Sequence, residues 1–429
     1  MSTKFIEAAR ALLQYSNRLI SIAMTTLLFW TTAAPLVAAQ PDVPMVRKVA
    51  ANIGEVVKRT KTGELTKPHK RELVFSARPG DFEITNSRMF FDPLVPMDDK
   101  TSAVENSNLA KALLAFKNRS DSEDLTALTN FVASHPKSRW RAALETELGQ
   151  QYFERGYFED ALKSFSSAWQ LSKAQTQQNR KAVADRAISN LVVLEAKLGL
   201  KTSVQNHLKE IASRPFTGSS EQRLAAARNG LGMMTNSPGI AFKCGPYALY
   251  WVAREVSPEA SDRVNEFCMK ASSTPQGTNL ARLDTWAKQL GLKMQMAKRS
   301  PGGKLIVPSV MHWKIGHFAA ITKTQGNRYQ IQDSTFGSTP NFSISQRAID
   351  AGSDGYFLVP AGKLPEGWRS VTAGEGQKVW GKGGAESANG GKTPTFPRTC
   401  TSAKCRGGGG PGSGGPGCGM AEAWAFTMN

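Results

Sequence analysis

The sequence is poor in cysteine, acidic residues and long apolar runs. Five cysteines in 429 residues are too few for a disulfide scaffold. The sequence has 35 acidic and 54 basic side chains, so its formal net charge is +19. Such a charge suits either an anionic partner or simply a basic surface. No basic stripe is interleaved with aromatic residues, so nucleic acid is not an expected partner. The lack of further long apolar runs beyond the N-terminal one excludes a polytopic membrane protein.

The N-terminal segment has the pattern of a secretory signal. Residues 1–18 carry three basic side chains, and residues 19–39 are uncharged and end in small side chains. A basic start, an apolar middle and a small-residue end predict a signal peptide, 1–39, and a secreted or periplasmic protein. The alternative is a membrane anchor formed by residues 19–39, with the rest of the chain facing outward. No other membrane contact is expected.

The next two regions differ in pattern. Residues 40–102 combine basic stretches with prolines and are predicted to be a partly ordered lead-in. Residues 103–235 repeat apolar residues at three- and four-residue spacing and contain almost no proline, which predicts helices throughout.

One segment within the helical region, ELGQQYFERGYFEDALKSFSSAW, predicts a helical hairpin. Small Gly149 and Ala161 allow two helices to approach closely, while Tyr152 and Phe165 fill the seam between them. These spacings resemble a tetratricopeptide repeat, and a weaker copy follows. The resemblance implies a groove that binds a peptide or protein partner, whereas the alternative is a plain helical bundle that acts as a spacer.

Cys244 opens the segment CGPYALYWVAREV, whose apolar residues form a helical stripe. Pro246 suits the first turn of a helix, because its missing N–H would have no helical acceptor there. Cys244 is therefore predicted at a helix N-terminus, where the helix dipole favours the nucleophilic thiolate form of cysteine.

The segment GHFAAITKTQGNRYQIQD predicts a β-hairpin. Its apolar pattern pairs Ile321 with Ile331 through a three-residue loop at 325–327. His317 and Asp333 then become diagonal neighbours on one face, within reach of an imidazole–carboxylate hydrogen bond. A two-residue loop would place these two side chains on opposite faces, so the prediction depends on the turn.

A cysteine at a helix start, with histidine and aspartate on one hairpin face, is an arrangement suited to nucleophilic catalysis. The histidine takes the thiol proton and later protonates the leaving amine, while the aspartate fixes the histidine tautomer. These residue types predict a triad of Cys244, His317 and Asp333, with His312 as the alternative base.

The order of short segments supports this reading. CGPYAL, GTNLARLDTWAKQLGLK, VPSVMHW, GHFAAI and YQIQDSTFG follow one another between residues 239 and 362. In this order they resemble the bacteriocin-processing, double-glycine cysteine peptidases. The resemblance implies an α+β papain-like domain over 239–362, a protein or peptide substrate, and Cys244, His317 and Asp333 as nucleophile, base and orienting acid. No cofactor and no metal ion is expected.

The sequence departs from that family at one position. The family has a glutamine six residues before the cysteine, where its amide helps to hold the oxyanion, but this sequence has Pro238. Asn236 and Lys243 are the nearby donors that could replace it. Loss of an oxyanion donor costs on the order of a hundredfold or more in rate. The alternatives are therefore a catalytically degenerate module that binds peptide or protein, or an export or assembly module.

Residues 363–429 are rich in glycine and are predicted to be a tail or linker. Cys400, Cys405 and Cys418 lie there without a nearby histidine, which favours one disulfide over a metal site. The tail contains paired glycines such as Gly383-Gly384, so the chain could carry its own substrate; the alternative is a plain linker. The closing CGMAEAW resembles the segment before the repeats of secreted rearrangement-hotspot (YD-repeat) proteins.

Taken together, these patterns predict a multidomain chain. An all-α helical-hairpin domain of tetratricopeptide type over 103–235 is followed by the α+β papain-like domain.

Overall fold

The computed structural model describes residues 73–333 and 342–383, which belong to one compact unit. The predicted signal peptide, most of the lead-in, most of the tail and its three cysteines lie outside these residues. Within the described part, no helix has both the length and the apolar character needed to cross a bilayer.

The first part of the described chain is helical, as the apolar spacing predicts. Its helices are α1 (Asp81–Thr85), α2 (Ala103–Lys117), α3 (Thr126–Ser134), α4 (Arg141–Glu154), α5 (Phe158–Ser172), α6 (Gln178–Lys197), α7 (Lys201–Glu210), α8 (Gly218–Asn236) and α9 (Pro238–Ala241).

The second part adds a sheet and its own helices. The helices are α10 (Cys244–Val256), a 3₁₀ turn (Pro258–Ala260), α11 (Ser261–Lys270), α12 (Leu280–Gln289), α13 (Gln346–Gly352) and α14 (Ala373–Gly376). The strands are β1 (Thr278–Asn279), β2 (Met294–Arg299), β3 (Ser309–Trp313), β4 (His317–Gln325), β5 (Arg328–Gln332), β6 (Ser343–Ser345), β7 (Ser353–Pro360), β8 (Trp368–Ser370) and β9 (Trp380–Gly381).

Side-chain caps fix where several of these helices begin. The Ser102 hydroxyl accepts a hydrogen bond from the backbone N–H of Glu105 at 3.1 Å and starts α2. Asn279 caps α12 in the same way, through Arg282 N–H at 2.8 Å. Such caps satisfy backbone donors that have no acceptor inside the helix.

Helices α4 and α5 pack against each other at the predicted seam. A Cβ added to Gly149 would lie 2.6 Å from the Phe165 ring, so the absence of a side chain at Gly149 allows this approach. Ala161 and Phe165 are buried and Tyr152 is half-buried. The tetratricopeptide-type arrangement of the region as a whole stays a prediction.

The strands form two sheets. The larger has the order β6-β5-β4-β3-β7-β2-β8, with neighbouring strands antiparallel, and β1 pairs with β9 in a separate two-stranded sheet. Strands β8 and β9 lie beyond residue 363, so the folded part extends to residue 383, into the predicted tail. Apolar residues of this stretch, Val371 and Val379, are buried in the core of the second part.

The β4–β5 hairpin has the predicted pairing but not the predicted loop. Ile321 faces Ile331, as expected, while Gln325 faces Arg328, so the turn has two residues rather than three. The register shifts between Ile321 and Lys323, where Thr322 is the extra residue of a β-bulge. Gly326 has φ +61°, which a tight two-residue turn requires. The prediction placed one extra residue in the turn. In the structure this extra residue is Thr322, in the strand.

The large sheet separates two hydrophobic cores. On β3, Met311 belongs to a core shared with α5, α6 and α8, whereas its neighbour Val310 belongs to a core shared with α10 and α12. Phe158 of α5 packs edge-on against Trp313 at 5.3 Å between ring centroids. The helical region and the sheet thus share one of these two cores, and helices lie on both faces of the sheet.

Candidate functional site

Helix α10 begins at Cys244, as the sequence predicts. Lys243 is its N-cap, and Pro246 lies in the first turn, where a missing N–H costs nothing. The helix packs against β4, and a Cβ on Gly245 would lie 3.0 Å from a Leu283 methyl and 3.4 Å from the Phe318 ring. Cys244 therefore lies at the positive end of a helix dipole, beside the start of β4.

His317, the first residue of β4, faces Asp333, which follows directly after β5. His317 Nε2 donates a hydrogen bond to Asp333 Oδ2 at 2.5 Å, and both residues are buried. The bulge at Thr322 makes this contact possible, because it restores the register that a plain two-residue turn would lose.

Cys244 and the Asp333 carboxylate both act on the buried His317 imidazole. Burial by itself lowers the pKa of His317, but the Asp333 carboxylate and Cys244 outweigh it and raise that pKa to about 10. An imidazolium is the form that stabilises a neighbouring thiolate. The structure thus brings together all three residues of the predicted triad.

The two predicted oxyanion donors are placed differently. Lys243 precedes Cys244, but its Nζ donates to the carbonyl oxygens of Met269 at 2.8 Å and Cys268 at 3.4 Å, at the end of α11. Burial lowers the pKa of Lys243. Asn236 is exposed at the C-terminal end of α8, and Pro238 opens α9. The Lys243 ammonium is therefore engaged away from the triad.

His312, the alternative base, forms a second His–Asp pair. Its Nδ1 lies 2.8 Å from Asp354 Oδ2, and its Nε2 lies 2.9 Å from the backbone carbonyl oxygen of Trp380, both within hydrogen-bonding distance. Its ring also packs against Phe318, with 4.9 Å between centroids. His312 thus holds a segment of the chain that the sequence did not place near the site.

That segment is the last described stretch of the chain, residues 379–383. Strand β9 pairs with β1, and Gly383 then reaches the imidazole: a Cβ there would lie 1.6 Å from His317 Nδ1. The sequence pattern draws attention to this glycine only as half of the Gly383-Gly384 pair. Its contact with His317 depends on the fold.

Cys268 is the other described cysteine, and it lies on α11 beneath α10. Its thiol donates to the carbonyl oxygen of Pro246 at 3.0 Å, and burial raises its pKa to about 12. A thiol held in this way is unreactive, so Cys268 fills space in the core. Among the described residues, no group of His, Cys, Asp and Glu side chains could hold a metal ion.

Comparison with known families gives a match in the second part of the chain. Residues 241–363, less than a third of the chain, match the Peptidase C39 family. The search of curated proteins and the search of solved structures gave no match. The family match covers α10 and the large sheet up to β7, including Cys244, His317 and Asp333. It supports a cysteine peptidase-like domain in this part of the chain, with a protein or peptide as substrate.

Proposed function

We propose that this protein is a cysteine peptidase that hydrolyses a peptide bond through Cys244, His317 and Asp333. The observation that carries the proposal is the buried, hydrogen-bonded His317–Asp333 pair beside the cysteine that begins α10. The match of this region to the Peptidase C39 family supports the same chemistry.

In the proposed reaction, the proton of the Cys244 thiol already resides on His317, as a thiolate beside an imidazolium, and the sulfur attacks the carbonyl carbon of the peptide bond. Asp333 holds the imidazole in one orientation and stabilises its cationic form. His317 then protonates the departing amine, which leaves a thioester on Cys244. Water, deprotonated by His317, hydrolyses the thioester and restores the thiolate beside the imidazolium.

The oxyanion of this reaction needs donors, since Pro238 supplies neither a side-chain donor nor a backbone N–H. The Lys243 ammonium is bound at the end of α11. The first N–H groups of a helix have no acceptor within it and favour negative charge. We infer that the backbone N–H of Cys244 takes part, and that the rate is lower than with a glutamine amide present.

The substrate proposed is a peptide that is cleaved after paired glycines, and the chain's own Gly383-Gly384 is a candidate. The helical region is proposed to present the substrate, because Gly199, at the end of α6, contacts the carbonyl oxygen of Lys382. A role as a plain spacer is the alternative. A secreted or periplasmic location is part of the same proposal, although residues 1–39 lie outside the described part.

The test compares the wild-type chain with Cys244→Ala. We expect intact mass measurement to show that only the wild type loses residues after a glycine pair. A synthetic peptide of residues 378–388, KVWGKGGAESA, added to either protein measures cleavage in trans.

A second candidate function is a degenerate module that binds peptide without cleaving it. The position of Pro238 and the engaged Lys243 ammonium favour this alternative. Equal masses for both proteins, together with an uncleaved peptide that still binds, would support the binding module over the peptidase.

A further inference from the structure

Residues 379–383, named the strap below, are held in the site by hydrogen bonds along residues 379–382. Leu280 N–H donates to the Val379 carbonyl at 2.9 Å, and Lys382 N–H donates to the Gly316 carbonyl at 2.9 Å. Between these, β9 pairs with β1, and His312 Nε2 lies within hydrogen-bonding distance of the Trp380 carbonyl oxygen. Recognition through main-chain hydrogen bonds is how a groove binds an extended peptide of varied sequence.

The strap passes between Gly277 and Gly199, and neither position has room for a side chain. A Cβ at Gly277 would lie 2.1 Å from the Gly381 carbonyl oxygen, and one at Gly199 would lie 1.9 Å from that of Lys382. Gly199 comes from the helical region and Gly277 from the loop before β1, so both parts of the fold form the groove.

Two alternate positions of the strap face β4 and accept glycine alone. A Cβ at Gly381 would lie 2.4 Å from the Phe318 ring, and a Cβ at Gly383 would lie 1.6 Å from His317 Nδ1. The groove therefore selects a strand with the pattern glycine, any residue, glycine, which the strap satisfies as Gly381, Lys382 and Gly383.

The strap lies against the buried His317 of the triad. Cys244 is 3% exposed and His317 is not exposed at all, although a peptidase must admit a peptide to both. Gly383 contacts the imidazole, so it fills space that the residues of a bound substrate would need.

We propose that the strap occupies the peptide-binding groove of its own chain and keeps the site closed. A substrate strand with glycines at alternate positions enters only when the strap leaves. This inference rests on the proposed function for its biological meaning, but access to Cys244 can be measured without any hydrolysis.

The first experiment compares Lys382→Pro with Lys382→Ala in the full chain. Proline removes the N–H that donates to Gly316, whereas alanine keeps it. Iodoacetamide should alkylate Cys244 at least about fivefold faster in Lys382→Pro than in wild type, the effect of losing one hydrogen bond. Lys382→Ala should match wild type. Peptide mass spectrometry measures the rate, with buried Cys268 as the internal reference.

A second variant and two peptides make the test independent of one substitution. Gly383→Ala should also expose Cys244, whereas Gly374→Ala, whose added Cβ meets open space, should not. The peptide Val-Trp-Gly-Lys-Gly-Gly should slow alkylation of Lys382→Pro again, and Val-Trp-Ala-Lys-Ala-Gly should have no effect. Circular dichroism verifies that each variant is folded.

Alkylation at the wild-type rate in both folded strap variants would overturn the proposal. Equal protection by the two peptides would overturn the selection of alternate glycines. Faster alkylation without cleavage of any peptide would support the strap and contradict the peptidase. Cleavage by the wild type, with no gain in access in the strap variants, would support the peptidase and contradict the strap.

Discussion

At the scale of single residues, His317 combines an ionisable side chain with complete burial. It is fully buried, it donates to Asp333, and its pKa is raised to about 10 although burial alone would lower it. A raised histidine pKa contributes stability that is present below its ordinary value of 6.5 and is lost as the pH rises through the raised value. The charge that serves the proposed chemistry therefore also stabilises the fold at neutral pH.

Asp333→Asn should separate the effect of the carboxylate on the pKa of His317 from the effect of burial. Without the carboxylate, burial opposes the charge with less compensation, so the pKa of His317 should fall and less of the imidazole should be charged at pH 7. We expect alkylation of Cys244 at pH 7 to slow by on the order of tenfold, because a free cysteine is only a few per cent thiolate there. The decline in the free energy of unfolding between pH 6.5 and 10 should also become smaller.

The control for this prediction is Asp284→Asn, whose carboxylate pairs with Lys288 on α12 rather than with a histidine. It should leave the alkylation rate and its pH profile unchanged. Identical rates for Asp333→Asn and wild type from pH 5 to 10 would contradict the role of Asp333.

At the scale of secondary-structure elements, the α4–α5 hairpin depends on one glycine. The Phe165 ring fills the space where a Gly149 side chain would be, so these two helices are closer than ordinary side chains permit. Sequence spacing predicts this contact because residues three and four apart share a helix face.

Gly149→Ala should destabilise the protein despite the higher helix propensity of alanine. Overpacking against Phe165 is expected to lower the free energy of unfolding by about 1–3 kcal/mol. Gly232→Ala on α8 is the matched control, because its Cβ meets open space and alanine should stabilise by up to about 1 kcal/mol. Urea unfolding followed by circular dichroism measures both, and equal midpoints would contradict the prediction.

At the scale of the whole molecule, Glu123 joins the helical region to the sheet. Its buried carboxylate accepts from Arg328 of β5 at 2.7 Å and from Ser345 of β6 at 2.5 Å. Together with the core that α5, α6 and α8 share with the sheet, this contact predicts that both parts unfold together.

Glu123→Ala should therefore shift one common transition rather than split it. We expect a loss of about 1.5–3 kcal/mol, typical of hydrogen bonds to a charged group. Glu221→Ala breaks an exposed pair with Arg228 and should cost less than about 1 kcal/mol. Calorimetry measures both variants, and two separate transitions, or equal losses, would count against a shared core.

The sequence by itself determined the local features of this protein. It predicts the helix start at Cys244, the Gly149 seam and the pairing of Ile321 with Ile331, and through that pairing the contact between His317 and Asp333. Each of these follows from periodicity over a few residues, since side-chain direction along a helix or strand is regular. The two-residue turn was not predicted, because a bulge in β4 and one more residue in the loop shift the pairing of β4 with β5 by the same amount.

Only the tertiary structure decided how distant segments meet. Lys243 binds carbonyls 25 and 26 residues away, His312 holds Trp380 across 68 residues, and Gly383 lies on His317. Composition marks residue 383 as part of a tail, but the hydrogen bonds of the residues just before it, and a space that only glycine fits, place it against His317. Such contacts leave no periodic trace in a sequence, because they depend on which surfaces the folded core brings together.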